Sequence, residues 1–199
     1  QFDDDEIPQE ILDLAEQSKA LETRFEEQIA LSEPDAEDIL LIREAMELQE
    51  QYVDAVKAFD TNAVERRDRL RRKYQNLEAA ILLEKSLELE EAAKALYSAE
   101  DYVGAETRYR EAYELQRRIN EKFPLSTAYN ASRAAFLLRQ TEYVAAEPML
   151  EQSQALEAAA DRLINEKKWP DAEAKLKEAI ELQDRLNREF RGTVQASIA

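Results

Sequence analysis

The chain has 199 residues and a formal net charge of −17, with 44% hydrophobic and 36% charged residues. It is therefore globular and strongly acidic, and its mean field would repel the phosphates of nucleic acid. Histidine and cysteine are absent and glycine occurs twice, so we expect no Ser-His-Asp, Cys-His or zinc chemistry and no phosphate-binding glycine loop, hence neither enzyme activity nor a cofactor or metal.

Apolar residues recur at helical spacing along the chain, which predicts an all-α fold. Ser32, Asn62 and Ser126 are placed to cap three of the predicted helices at their N-termini. Only Asn76 marks a break between the third helix and the fourth, so these two are alternatively one helix. The predicted ranges are 8–31, 35–59, 63–75, 77–99, 103–122, 127–140, 143–166 and 171–190.

One helical segment occurs three times, starting at Arg43, Arg110 and Lys177, so the offset is 67 positions in both steps (110 − 43 and 177 − 110). Residues 84–123 and 151–190 share 17 identities in 40 pairs. Composition alone would give far fewer, so the chain contains an internal repeat. The first copy matches well only around its REAMELQ segment, as expected of a terminal capping repeat.

Each copy is predicted to form an antiparallel helix hairpin. One hairpin cannot bury its own apolar stripe, so neighbouring hairpins must stack into a continuous core. We therefore predict one helical-repeat domain over residues 1–199. Within it, residues 1–34 form a divergent capping helix, 35–190 the repeated hairpins and 191–199 the start of an unfinished helix, as in a segment cut from a longer chain.

The segment ALYSAEDYVGAETRYREAYEL at residues 95–115 resembles a tetratricopeptide repeat. That family has small residues on the first helix, an aromatic residue at the turn and alanines flanking an aromatic residue on the second helix. The matching residues are Ala93, Tyr102, Ala105, Tyr109 and Ala112, then Ala160, Trp169, Ala172, Leu176 and Ala179, and in a weaker third instance Ala134, Tyr143, Ala146 and Leu150. The resemblance implies an α-solenoid that binds proteins or peptides in a concave groove.

The register of the family, carried over through Ala93, Ala134 and Ala160, predicts the residues of this groove. They are Leu87, Glu90, Glu91, Lys94, Tyr97, Ala131, Ser132, Ala135, Leu138, Arg139, Glu157, Asp161 and Ile164. The basic carboxylate clamp of some family members is missing here, and acidic residues occupy several of its places. We expect the groove to prefer a basic or amphipathic segment. The alternative is that these acids only add to an acidic surface and that partners bind the convex side.

Four other features carry alternative interpretations. The repeated Gln49, Gln116 and Gln183 are either boundary residues bonded within their own surface or a ladder that lines a binding face. The basic segment ERRDRLRRKY at residues 65–74 is either ion-paired with a neighbouring acidic helix or a phosphate or anionic-lipid site. Residues 2–6, FDDDE, are a frayed acidic tail or a calcium site. The tyrosines and Trp169 pack the hairpins or form a cofactor box.

These observations predict a non-catalytic protein–protein interaction module or scaffold. The alternative is a structural, coiled-coil-like spacer or homodimerisation domain attached to a larger protein, and the oligomeric state stays open. No apolar run exceeds about five residues, so we expect no membrane insertion. The sequence starts at Gln1 rather than methionine, as expected of a secreted protein after signal removal or of any shortened chain. The first interpretation favours an extracytoplasmic location, periplasmic or secreted, over a cytoplasmic one.

Overall fold

The computed structural model describes residues 7–56, 61–193 and 196. Within these residues the chain is helical and contains no strand, which confirms the predicted all-α class. The helices are α1 (Gln9–Ile29), α2 (Ala36–Ala55), α3 (Thr61–Ser98), α4 (Tyr102–Lys122), α5 (Ala131–Asn165) and α6 (Trp169–Glu189). The acidic segment 2–6 lies outside the described residues, as does most of the predicted final helix at 191–199.

The predicted break within α5 is wrong, because residues 127–140 and 143–166 do not form two helices. Thr141 is buried in the middle of α5, and its hydroxyl donates a 3.0 Å hydrogen bond to the carbonyl of Leu137. This bond satisfies the side chain inside the helix, so no turn is needed to accommodate it. Pro148 also lies inside α5 without ending it. The weak third hairpin of the family pattern, with its turn at Tyr143, is therefore absent.

Helix caps differ from the predicted ones at three places. Asn62 lies inside α3 rather than before its first residue. Asp35, rather than Ser32, caps α2, and it forms a reciprocal capping box with Asp38. Helix α5 begins at Ala131 rather than near Ser126, because the side chain of Asn130 accepts a 2.8 Å hydrogen bond from the amide of Arg133. The alternative of one unbroken helix across Asn76 is confirmed by α3.

The chain divides into two compact units, and the division falls within α3 and again within α4. The first unit comprises Gln1–Leu83 and Ile119–Tyr129. Its largest buried cluster joins α1, α2 and the first half of α3 and consists of Phe25, Leu41, Ile42, Ala45 and Leu70. The burial of these side chains helps to hold α1, α2 and α3 together.

The second unit comprises Glu84–Arg118 and Asn130–Ala199. Its core contains three alanines of α3 and α4, and it includes one residue from each of two turns of α5. The buried members are Ala93, Ala105, Tyr109, Ala112, Leu137 and Val144. The small side chains allow α3 and α4 to approach closely, while Tyr109 and Leu137 fill the remaining space.

Two helix ends share an unusual backbone conformation. Glu100 and Lys167, which are 67 positions apart (167 − 100), both have a φ of 61°. At each end the two hydrogen bonds of a Schellman motif are present. The Asp101 amide donates to the Leu96 carbonyl at 3.0 Å, and the Lys168 amide donates to the Leu163 carbonyl at 2.9 Å. A left-handed residue closes both helices, although neither position has glycine.

We expect Glu100→Gly to raise the free energy of unfolding by up to about 1 kcal/mol, since glycine has no Cβ to strain at positive φ. Urea denaturation followed by circular dichroism will measure the change. Glu88→Gly is the matched control, because Glu88 is exposed in the middle of α3. Glu88→Gly should lower the free energy of unfolding by about 1 kcal/mol, because glycine is unfavourable inside a helix. Destabilisation by Glu100→Gly would contradict this account of the turn.

Candidate functional site

An arginine of α3 is enclosed by residues of α1 and α2 in the first unit. The guanidinium of Arg66 donates to the carboxylate of Glu22 at 2.9 and 3.2 Å and to the hydroxyl of Ser18 at 3.0 Å. It also donates to the side-chain oxygen of Gln49. The side chains of Arg66 and Glu22 are each only 11% exposed. We call these four residues the first arginine cluster.

A second arginine cluster lies in the second unit and has the same residue types at its centre. Arg133 of α5 donates to the carboxylate of Glu90 at 2.6 Å and to the hydroxyl of Ser86 at 3.3 Å. Ser86 in turn donates to the carbonyl of Ala112 at 3.0 Å. Lys94 lies 2.9 Å from the other oxygen of Glu90. The second arginine cluster consists of Ser86, Glu90 and Arg133.

Sequence reasoning missed the Ser-x-x-Leu-Glu pattern that supplies both clusters. The pattern occurs as SKALE from Ser18, SLELE from Ser86 and SQALE from Ser153. The offset is 67 positions between the second copy and the third (153 − 86), but 68 positions between the first and the second (86 − 18). A comparison at one fixed offset therefore overlooks the first copy. A search that allows a single insertion would have found it.

Both buried carboxylates remain ionised. Burial raises the pKa of Glu22, but hydrogen bonds from Lys73 and Arg66 outweigh it and bring the pKa below its ordinary value. Burial likewise raises the pKa of Glu90, and hydrogen bonds from Lys94 and Arg133 again lower it overall. A carboxylate that holds its proton so weakly and is enclosed by cations is suited to a structural role rather than to proton transfer.

The basic segment at residues 65–74 forms ion pairs with acidic residues of the neighbouring helices, as the first of its two interpretations predicts. Lys73 donates to Glu22 of α1 at 3.0 Å and to Glu26 at 2.6 Å. Arg71 donates to Glu50 of α2 at 2.5 Å. These contacts join α3 to both helices of the first hairpin.

The tyrosines of the second unit pack three helices against one another. The rings of Tyr97 and Tyr102 are 5.7 Å apart, and those of Tyr97 and Tyr143 are 6.0 Å apart. The Tyr97 hydroxyl donates to Glu147 at 3.1 Å, and the Tyr102 hydroxyl donates to Glu151. The latter bond raises the pKa of Tyr102 to about 12. The phenols therefore stay protonated and serve as donors to α5.

The structure distributes the predicted groove residues over several surroundings. Glu90 is buried in the second arginine cluster, Tyr97 belongs to the tyrosine group and Ile164 is half-buried. Lys94 is exposed and paired with Glu90 and Glu91. The other exposed members are Leu87, Glu91, Ala131, Ser132, Ala135, Leu138, Arg139, Glu157 and Asp161.

An open groove lies between α4, α5 and α6 of the second unit, and Leu138 is the predicted residue that lines it. Its lining combines apolar side chains with charged ones. The lining residues are Glu106, Arg110, Tyr113, Glu114, Leu138, Thr141, Glu142, Ala145, Met149, Arg185, Glu189 and Phe190. We call this feature the α4–α5–α6 groove.

Most charges at this groove are already paired. Arg110 pairs with Glu106 within α4, and Arg185 lies 2.9 Å from Glu189 within α6. Within the described part of the chain, Glu142 is exposed and has no ion-pair partner. The groove therefore combines apolar contact surface with one carboxylate that remains available to a ligand.

No protein-family model, curated protein or solved structure matches this chain. None of the described helices is long and apolar enough to cross a membrane. In residues 7–56, 61–193 and 196, no group of three or more acidic side chains is arranged to hold a metal ion.

Proposed function

We propose that this chain is a non-catalytic protein-interaction scaffold, built from three helix hairpins on a 67-residue period and similar in plan to a tetratricopeptide solenoid. Matching details at equivalent positions support the repeat. Ser153 donates to the carbonyl of Ala179 at 3.3 Å, as Ser86 does to Ala112. The shared positive φ of Glu100 and Lys167 adds a second, independent match.

The α4–α5–α6 groove is the observation that carries the binding function. Leu138 lines this groove and is 41% exposed, so a ligand that covers this side chain gains from its burial. Glu142 lies beside this apolar surface and favours a positively charged ligand. The groove therefore binds an amphipathic segment with at least one basic residue. Its apolar residues set the residence time and the charge sets the association rate.

The observation that supports the alternative, a spacer or homodimerisation domain, is the length of two helices. Helix α3 has 38 residues and α5 has 35, about three times the usual length in globular proteins. Sedimentation velocity distinguishes the two functions. A monomer at micromolar concentration supports the interaction scaffold, whereas a stable dimer that buries Leu138 supports the alternative.

The groove is tested by photo-crosslinking. We expect a crosslinkable amino acid at position 138 to capture a partner from an extract of the native host, while one at Leu31, which is 89% exposed, captures none specifically. An excess of unlabelled chain should prevent the capture. A competitor with Glu142→Lys should be at least about tenfold weaker, which corresponds to about 1.4 kcal/mol.

The matched competitor is Glu88→Lys, which makes the same charge change on an exposed turn of α3. It should compete like the unchanged chain. Equal competition by both variants, or adducts at position 31 as abundant as those at 138, would contradict the proposed groove. Turnover on hydrolase or transferase substrates that is abolished by a single carboxylate substitution would contradict the non-catalytic assignment.

A further inference from the structure

The α4–α5–α6 groove of the second unit has a counterpart in the first unit, 67 positions earlier in the chain. Leu70 and Leu137 differ by this interval (137 − 70), and both are 0% exposed in the cores of their units. The residue four positions later lies on the same side of its helix. This residue is Tyr74 in the first unit and Thr141 in the second. A large aromatic side chain is thus exchanged for a small one.

In the first unit the side chain of Tyr74 fills this place. It packs against the buried cluster of α1, α2 and α3, and its hydroxyl donates to Glu78 at 3.4 Å. Burial raises the pKa of this hydroxyl, and Arg43 of α2 opposes the rise, which places Arg43 beside it. The residues 67 positions after Arg43 and Glu78 are Arg110 and Ala145, and both line the α4–α5–α6 groove.

In the second unit the space is left to a ligand. Thr141 and Ala145 replace the tyrosine and the glutamate of the first unit, and both are smaller. The hydroxyl of Thr141 donates to the carbonyl of Leu137 at 3.0 Å, so it needs no polar partner from the ligand. The groove has a volume of about 670 Å³, within the range of about 300–1,000 Å³ that is usual for ligand pockets.

The other side chains of the groove favour an aromatic ring. Tyr113 of α4 and Met149 of α5 line the groove and are half-buried. Their counterparts in the first unit are Met46 and Leu82, so the aromatic wall is specific to the second unit. A ring is stabilised by contact with a second ring and with a methionine sulfur. An aliphatic side chain lacks both contributions.

We propose that the segment bound in the α4–α5–α6 groove inserts an aromatic side chain between Thr141, Ala145 and Tyr113. Its ring takes the place that Tyr74 fills in the first unit. Thr141 and Ala145 determine this specificity because their small side chains leave the space. The inference rests on the proposed scaffold function and adds an aromatic anchor to the basic residue that Glu142 favours. The net charge of −17 favours a basic segment of another protein over a second copy of this acidic chain.

The test uses N-acetyl-tyrosinamide and the complete chain with ¹³C-labelled methionine methyl groups. The sequence has two methionines, of which Met149 lines the groove and Met46 packs in the first unit. A ring bound in the groove should shift the Met149 resonance in a saturable way and leave that of Met46 in place. We expect half-saturation at about 1–10 mM, as for a small fragment. N-acetyl-leucinamide should bind about fivefold more weakly, since it makes no aromatic contacts.

Variants of the chain locate the bound ring. Thr141→Tyr puts a tyrosine of the chain itself into the space and should abolish the shift of the Met149 resonance. Thr107→Tyr is the matched control, because Thr107 is exposed on α4 and its hydroxyl also donates to the carbonyl four residues earlier. It should leave the shift unchanged. Ala145→Glu, which reproduces Glu78 of the first unit, should also reduce the shift, and it replaces Thr141→Tyr if circular dichroism shows that variant to be unfolded.

The absence of a saturable shift at Met149, an equal shift at Met46 or equal binding of the leucine probe would overturn the proposal. So would equal effects of Thr141→Tyr and Thr107→Tyr, or a dimer of the chain that Thr141→Tyr dissociates. Crosslinking from position 138 separates this failure from failure of the groove. If Glu142→Lys weakens competition in that assay and Thr141→Tyr does not, the groove binds its partner without an aromatic anchor.

Discussion

Leu137→Ala should lower the free energy of unfolding by about 2–5 kcal/mol, the cost of emptying a fully buried leucine site. Leu137 is 0% exposed and packs among Ala93, Tyr109 and Val144, which belong to three different helices. Alanines on the facing helices cannot extend into the space, so the cavity would remain largely open. Urea denaturation followed by circular dichroism measures the loss.

The neighbouring leucine is the matched control. Leu138 is 41% exposed in the α4–α5–α6 groove, so Leu138→Ala should cost less than about 1 kcal/mol, as is usual for surface substitutions. It should nevertheless weaken crosslinking competition, which Leu137→Ala need not do while the chain stays folded. Equal losses of stability in the two variants would contradict the assignment of Leu137 to the core.

Glu22→Gln should lower the free energy of unfolding by about 3 kcal/mol at neutral pH. The substitution keeps the size of the side chain but removes the charge opposite Arg66, and removing one partner of a buried ion pair typically costs about 3–5 kcal/mol. We expect the lower end of this range, because the guanidinium of Arg66 still donates hydrogen bonds to Ser18 and Gln49. Denaturant unfolding at constant ionic strength is the measurement.

The same substitution at the third Ser-x-x-Leu-Glu segment is the control. Glu157 is exposed, so Glu157→Gln should change stability by less than about 0.5 kcal/mol. If Glu22→Gln and Glu157→Gln lower the free energy of unfolding equally, the enclosure of Glu22 by Arg66 does not stabilise the fold.

The effect of Glu22→Gln should also depend on pH in a defined direction. The pKa of Glu22 is lower in the folded chain than its ordinary value of 4.5. The unfolded state therefore binds a proton more readily than the folded state does. The stabilisation is fully present above pH 4.5 and is lost as the pH falls through the lower, folded pKa. The difference between the unchanged chain and Glu22→Gln should therefore shrink below pH 4.5.

Helical class and the close approach of α3 and α4 at Ala93, Ala105 and Ala112 are predictable from spacing alone, because period and side-chain volume are local properties. The continuity of α5 is not predictable in this way. It depends on Thr141 finding an acceptor within its own helix. The start of α5 depends on Asn130, which supplies the cap. The groove register carried through Ala134 depended on the turn at Tyr143, which α5 does not have.

The arginine clusters could be predicted only in part. The basic segment indicates ion pairs with an acidic helix, but the choice of partner depends on tertiary packing. Arg66 is enclosed, whereas Arg72 in the same segment is exposed. Residue type is identical at the two positions, and only the side of α3 on which each lies distinguishes them. Glu90 and Glu157 likewise differ because an arginine covers the first and none of the described residues covers the second.

Each long helix carries an arginine that binds one Ser-x-x-Leu-Glu segment and the serine of the next such segment. This arrangement determines where the chain can accept insertions. Helix α3 carries both Arg66 and Ser86, and α5 repeats the same interval between Arg133 and Ser153, because 86 − 66 equals 153 − 133. A single insertion into either interval would rotate the later side chain by about 100° around the helix axis. The turns tolerate such insertions, whereas the long helices do not. Homologous chains of different length should therefore vary in their turns, or by whole copies of the repeat.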